Sequence, residues 1–156
     1  MRLLVLAVGT RMPAWVDTAF SEYAKRMPRH LPMELMEIRP EPRAGGKPAA
    51  ALCLAEAARI AQALPAGAMK VALDERGREF SSDAFAKWFE RMTGEGRDIA
   101  FLIGGADGLA PDIRKSADLT LRLSAFTLPH ALARVVLAEQ LYRAVSIMQN
   151  HPYHRA

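Results

Sequence analysis

The sequence predicts an α/β domain with a largely parallel sheet flanked by helices. Short apolar runs alternate with longer helical patterns in the order β-α-β-α-β-α-β-short α-β-α. Hydrophobic residues make up 51% of the chain and charged residues 24%, values of a globular protein. A chain of 156 residues suits one domain with a proper core, and no repeat, low-complexity tract or long linker divides it.

Each element has a local cause. Residues 2–8 (RLLVLAV) form a continuous apolar run ending at Gly9, a first strand rather than a leader peptide, because the run is short and Arg11 and a new helix follow at once. Pro13 opens a helix to about Met27, since proline suits a first helical turn. Residues 32–39 alternate apolar and polar side chains and read as a strand. Pro40, Pro42, Gly45, Gly46 and Pro48 then mark a mobile loop carrying Arg39, Arg43 and Lys47. An alanine-rich helix follows over 49–64, and residues 69–73 form a third strand closing on the turn Asp74-Glu75-Arg76-Gly77. Ser82 is the expected N-cap of a helix running to about Met92, with Asp83 placed to favour the helix dipole. Residues 99–103 and 119–123 are strands on either side of a short helical piece.

The last helix, from Pro129 to about Met148, is apolar on most sides: Leu132, Val135, Val136, Leu137, Leu141 and Val145 cover more of its circumference than one sheet can bury. Either this domain surrounds the helix or a second copy packs on it, and in a chain this short the pattern favours a homodimer with this helix at the interface. Glu139 and Arg143, four apart, are expected to pair on an exposed edge for only about 0.3–0.5 kcal/mol. Residues 151–156 form a tail.

The formal charge is +4 and the isoelectric point about 9.6, a balance that favours a polyanionic partner. Lys25, Arg26, Arg29, His30, Arg39, Arg43 and Lys47 crowd the first third, and Arg143, His151, His154 and Arg155 the end. Acids concentrate between them. The single cysteine, Cys53, excludes an internal disulfide framework and a paired-cysteine zinc site, and points to a cytoplasmic protein. No apolar run approaches the roughly 20 residues of a membrane span, and the histidines show no metal-ligand spacing, so neither membrane nor metal is expected. A nucleophile elbow, G-x-S-x-G, is missing.

Residues 101–130, FLIGGADGLAPDIRKSADLTLRLSAFTLPH, carry the densest chemical signal. Two strand ends open into two small-residue loops, the place where open α/β sheets bind ligands. Gly104-Gly105-x-x-Gly108 matches neither the dinucleotide pattern nor the P-loop. Its glycines let main chain approach a ligand with no Cβ in the way. The second loop offers the hydroxyls of Ser124 and Thr127 and the apolar walls of Phe126 and Leu128, and Thr127 is also a candidate N-cap. With Leu73 and the turn after it as a third wall, the pattern predicts a largely backbone-lined pocket for an adenosine-like cofactor. The tail Asn150-His151-Pro152-Tyr153-His154-Arg155 mixes rings with positive charge: the rings can stack on a splayed base and Arg155 can hold phosphate.

Together these residues resemble the SPOUT class of methyltransferases, and more narrowly the ribosomal large subunit methyltransferase H family. The resemblance covers essentially the whole chain. It rests on Val8-Gly9-Thr10, Leu73-Asp74-Glu75-Arg76-Gly77 with Ser81-Ser82, Phe101-Leu102-Ile103-Gly104-Gly105-x-x-Gly108-Leu109, Leu123-Ser124-x-x-Thr127-Leu128-Pro129-His130, Ala138-Glu139-Gln140-Leu141-Tyr142-Arg143-Ala144 and the terminal His151-Pro152-Tyr153-His154-Arg155. Residues 39–47 and the helix after them match least.

The resemblance implies a deep C-terminal trefoil knot, which no periodicity would suggest because knots are rare. It implies S-adenosylmethionine held by Leu73, Gly104, Gly105 and the segment Leu123, Ser124, Ala125, Phe126, Thr127 and Leu128, and a homodimer with the site near the subunit boundary. The implied substrate is a pseudouridine of 23S rRNA, methylated at N3 on assembled ribosomes. Such a transfer needs no metal and no covalent enzyme intermediate, only methyl carbon and acceptor nitrogen aligned about 3–3.5 Å apart. The N3 proton must leave, so a base or a positive group would help. His130 and His154 are candidates for that role, and Tyr153 and Arg155 for orienting the base or neutralising charge. A cofactor-bound ribosome-binding factor without catalysis is the alternative class.

Overall fold

The computed structural model describes residues 1–155; the last residue of the tail, Ala156, lies outside the described residues. Five strands form one parallel sheet: β1 (Leu3–Val8), β2 (Met33–Ile38), β3 (Met69–Glu79), β4 (Ile99–Ile103) and β5 (Leu119–Arg122). Their spatial order is β2-β1-β4-β3-β5. The helices are α1 (Ala14–Ala24), α2 (Ala49–Ala63), α3 (Ser82–Thr93), α4 (Pro111–Ser116) and α5 (His130–Met148), and a 3-10 turn, Pro152–Arg155, closes the tail.

β1 is buried on both faces, which is why its sequence is continuously apolar. Leu3, Val5 and Ala7 point with Ile99, Phe101 and Ile103 into a core closed by Phe20 of α1, Phe85 and Phe89 of α3, and Leu137 and Leu141 of α5. Leu4, Leu6 and Val8 point the other way, with Ala100 and Leu102, to meet Ile60 of α2 and Leu109. α3 is the clearest amphipathic helix: Phe85, Ala86, Trp88 and Phe89 are buried on one face, and the Phe85 and Trp88 rings stack 5.6 Å apart. Phe101, fully buried at the sheet centre, is expected to cost about 3–5 kcal/mol when cut to alanine, read as a lower midpoint in urea or heat.

Three local expectations are corrected. Asp74-Glu75-Arg76-Gly77 does not end the third strand. β3 continues to Glu79, and β5 pairs Leu121 with both Leu73 and Arg78, so the intervening residues loop out as a bulge. Gly77 permits this: a Cβ there would lie 2.7 Å from the Thr120 carbonyl oxygen. Ser82 is not the N-cap of α3; the Ser81 hydroxyl accepts from the Ala84 N–H at 3.1 Å. Ser82 is the first helical residue, and its hydroxyl donates to Gln140 of α5 at 2.7 Å. Ser81→Ala should therefore cost about 1 kcal/mol in denaturant titration. Thr127 does not cap α5, whose N-cap is Pro129 with no side-chain cap bond.

Candidate functional site

The bulge of β3, the carboxyl ends of β4 and β5 and the start of α5 enclose a cleft of about 960 Å³, the upper end of the roughly 300–1,000 Å³ range of small-molecule sites. Adjacency of these three strands in the sheet brings together loops that are far apart in sequence. Leu73, Gly104, Gly105, Leu123, Ser124, Ala125, Phe126, Thr127, Leu128 and His130 all line it. Val8 and Met12, at the end of β1, complete the floor.

The glycine loop is a tight turn. Gly108 N–H donates to the Gly105 carbonyl at 3.0 Å, and the two residues form an isolated antiparallel bridge. Gly104 packs so closely on the returning strand that a Cβ would sit 2.6 Å from the Leu109 nitrogen and 2.8 Å from the Gly108 oxygen. A Cβ on Gly105 would press on Val8 and on the buried carboxylate of Glu56, which accepts from the Glu41 N–H at 3.0 Å. The basic segment before α2 is pinned to this loop: Arg43 pairs with Asp107 at 2.6 Å, while Glu41 binds Lys47 and Arg59.

The second loop is shaped by its own polar groups. The Ser124 hydroxyl accepts from the Phe126 N–H at 2.9 Å, and Arg122 Nε donates to the Ser124 carbonyl at 3.2 Å. Phe126, 82% exposed, stands at the mouth. On the opposite wall Arg114 of α4 donates to Asp74 at 3.0 Å. Partial burial raises the Asp74 pKa, but the Arg76 backbone N–H and the Arg114 guanidinium outweigh it and hold the carboxyl below its ordinary value.

His130 is held at both ring nitrogens. Nδ1 lies 3.0 Å from the Gly104 carbonyl, and Nε2 faces Arg134 Nε at 3.0 Å. Burial, followed by the Arg134 charge, lowers the imidazole pKa. Sequence reading did not single out Arg134. The available signal is a lone arginine in the apolar run after His130, four residues on and therefore on the same helix face.

The described tail residues, 151–155, do not line this cleft. Tyr153 folds back on α5: its ring meets Tyr142 edge-on at 4.7 Å and lies under the Arg143 guanidinium at 5.1 Å, with its hydroxyl 3.4 Å from Glu139. Burial, then a hydrogen bond with Tyr23, raises the Tyr153 pKa. The Glu139–Arg143 pair, 2.7 Å apart, is accordingly no exposed edge but is largely covered by the tail. Glu139 is nine residues beyond His130, a rise of about 13.5 Å along the helix. His154 Nδ1 is buried with no hydrogen-bond partner among the described residues. No helix among them is long and apolar enough to cross a membrane, and they contain no group of three or more side chains suited to a metal ion.

Comparison with known proteins agrees with this architecture. The family model described as "Predicted SPOUT methyltransferase" matches residues 1–154. The chain is 56% identical over its full length, and over the full length of the relative, to "Ribosomal RNA large subunit methyltransferase H" of Bordetella avium strain 197N. The protein of the same name from Burkholderia multivorans shows the same identity and coverage. Among solved structures, a "probable methylase family protein" from Haemophilus influenzae Rd KW20 superposes with a TM-score of 0.58 at 15% identity, over 97% of this chain and 69% of that one. A "Probable Methyltransferase" from Bordetella pertussis Tohama I gives 0.57 at 19% identity, over 92% and 93%. These two likenesses concern the fold; full-length identity to the curated relatives is the closer tie. The chain belongs to the SPOUT methyltransferases, and within them to the ribosomal RNA large subunit methyltransferase H family.

Proposed function

We infer that this chain uses S-adenosylmethionine to methylate a pseudouridine at N3 in 23S rRNA, on assembled ribosomes, as a cytoplasmic enzyme acting through one domain. The observation that carries the cofactor assignment is the cleft of about 960 Å³ lined by the glycine loop and residues 123–128, roomy enough for a nucleoside cofactor. Gly104 and Gly105 keep the loop's tight turn, since a Cβ on either would meet Gly108, Leu109, Val8 or Glu56. Bound there, the cofactor would supply an electrophilic sulfonium methyl for N3, with the N3 proton passing to solvent or a nearby base and S-adenosylhomocysteine as the leaving product. Leu73 and Leu128 supply apolar walls for adenine, and polar main chain of residues 123–127 lies within the same cleft to read its edge. The adjacency of β3, β4 and β5 is consistent with the C-terminal trefoil knot that the family resemblance implies.

Of the candidate catalytic residues, His130 has both nitrogens engaged and serves to position the glycine loop. Tyr153, His154 and Arg155 belong to the 3-10 turn after α5, where Tyr153 packs on Tyr142 and Arg143, away from the cleft of their own chain, so we assign them to the cleft of a partner subunit. A homodimer built on α5 accounts for two features. Leu132, near the cleft end of α5, is 41% exposed, and Trp15, three residues past Met12, is 50% exposed. Arg155, exposed, is free to meet phosphate. The protein should sediment as a dimer at micromolar concentration; a monomer would remove the shared site.

Calorimetry with S-adenosylmethionine, paired with tritiated methyl transfer to ribosomes from cells lacking the activity, tests the assignment. Saturable binding with transfer is expected. Binding without transfer favours a ribosome-binding factor.

A further inference from the structure

Arg134 is the largest fully buried side chain among the described residues, and it contacts His130 of the cleft lining. Each of its three nitrogens donates a hydrogen bond. Nε reaches His130 Nε2 at 3.0 Å, Nη1 reaches Glu37 of β2 at 2.8 Å, and Nη2 reaches the Gly9 carbonyl at the end of β1 at 2.8 Å. Burying a guanidinium is costly, and an apolar side chain of similar volume generally stabilises a core as well or better. The arrangement therefore does something that packing alone would not require.

A guanidinium can only donate. His130 Nε2 must then accept, which leaves the imidazole neutral with its proton on Nδ1. That N–H donates to the Gly104 carbonyl. The Gly104 carbonyl and the Gly105 N–H belong to one planar trans peptide and point in opposite directions, so holding the first aims the second. We propose that Arg134 is a positioning residue for methyl transfer: through the His130 tautomer it sets the Gly104–Gly105 peptide that forms the cofactor wall.

This inference rests on the cofactor assignment above and adds to it a pH dependence with a defined sign. The charged groups facing the imidazole are Arg134 on its own helix and Glu37 from β2; the end of β1 and the glycine loop present the Gly9 and Gly104 carbonyls. A protonated His130 would turn an N–H toward the N–H of Arg134, setting donor against donor and charge against charge. The folded-state pKa lies below the ordinary 6.5, chiefly through burial. Neutral His130 is thus secure above that value, and both stability and cofactor affinity are lost as pH falls through the lowered folded value.

The test is calorimetric binding of S-adenosylhomocysteine from pH 8 to pH 5, with nitrogen NMR of the His130 ring. Wild-type protein is expected to show the Nδ1–H tautomer and to lose about tenfold in affinity for each pH unit below the folded pKa. Arg134→Met should bind several-fold more weakly at pH 7.5, show mixed tautomers and begin its loss at higher pH. His130→Asn, whose amide can replace Nδ1 toward Gly104, should bind more weakly than wild type but with a flat profile. Should Arg134→Met fail to fold, His130→Asn and the wild-type tautomer still decide. An Nε2–H tautomer in wild type, an Arg134→Met protein with wild-type tautomer and pH profile, or a His130→Asn profile as steep as wild type overturns the proposal. No binding by wild-type protein at any pH overturns the cofactor assignment as well.

Discussion

Gly104→Ala is expected to weaken S-adenosylmethionine binding at least about a hundredfold, or roughly 2.7 kcal/mol. The new methyl would meet the Leu109 nitrogen at 2.6 Å and the Gly108 oxygen at 2.8 Å, with the Gly108 carbonyl carbon also inside contact distance. All three are backbone atoms of the same tight turn, so no side-chain rotation relieves the clash. The turn must open, and opening it moves the Gly104 carbonyl away from His130 and displaces the cofactor wall. Calorimetry gives the affinity, while circular dichroism and a melting curve establish that the five-stranded sheet persists. Binding within threefold of wild type in a folded variant would show that the glycine wall is not where the cofactor rests.

The second large effect concerns the tail. Tyr153→Phe, His154→Ala and Arg155→Ala should each lower methylation far more than cofactor affinity, with losses up to about a hundredfold where a residue assists proton removal or orients the base. The reason is spatial: these side chains lie along α5 away from the cleft of their own subunit, so cofactor contacts survive their removal. Subunit mixing gives a sharper form of the prediction. Gly104→Ala and Arg155→Ala should each have strongly reduced activity, yet a mixed dimer would hold one site with an intact cofactor cleft from one subunit and an intact tail from the other. Random pairing of equal amounts should restore about a quarter of wild-type activity per site. No recovery from exchanging, folded subunits would mean that each tail serves its own cleft. Full activity in a protein lacking residues 151–156 would remove the tail from the chemistry altogether.

The sheet is legible in the sequence because its central strands are buried on both faces. LLVLAV and IAFLI can hardly be anything but interior strands once helical patterns flank them. The two glycine and small-residue loops are legible for the same reason, since they interrupt apolar runs at strand ends. The bulge in β3 is not. Asp74-Glu75-Arg76-Gly77 has turn chemistry, and only pairing with β5, more than forty residues later, shows that the strand resumes at Arg78. Local sequence cannot report that long-range register. The N-cap of α3 lies one residue earlier than the sequence pattern places it: Ser81 caps the helix, and Ser82 instead donates to Gln140 of α5, a long-range contact that local sequence does not show.

Arg134 was the least visible part of the site. An arginine in an apolar stretch of helix reads as an exposed edge, whereas Arg134 is wholly interior, with acceptors from Gly9 just after β1, Glu37 of β2 and His130 of its own helix. Those partners are 125, 97 and 4 residues away in sequence, so only the last is visible as a spacing. The place of the tail is likewise a tertiary fact. Its rings and charges are legible as nucleic-acid chemistry, but its docking on Tyr142, Arg143 and Glu139 is what separates it from the cleft of its own chain.

The most direct measurement is the identity of the methylated nucleoside. Ribosomes from cells lacking the modification are incubated with the protein and methyl-labelled S-adenosylmethionine, and the 23S rRNA is digested to nucleosides for mass spectrometry. One label per large subunit, on pseudouridine at N3, is the expected result. Label on another nucleoside or another ring atom, or none from protein that binds the cofactor, would contradict it.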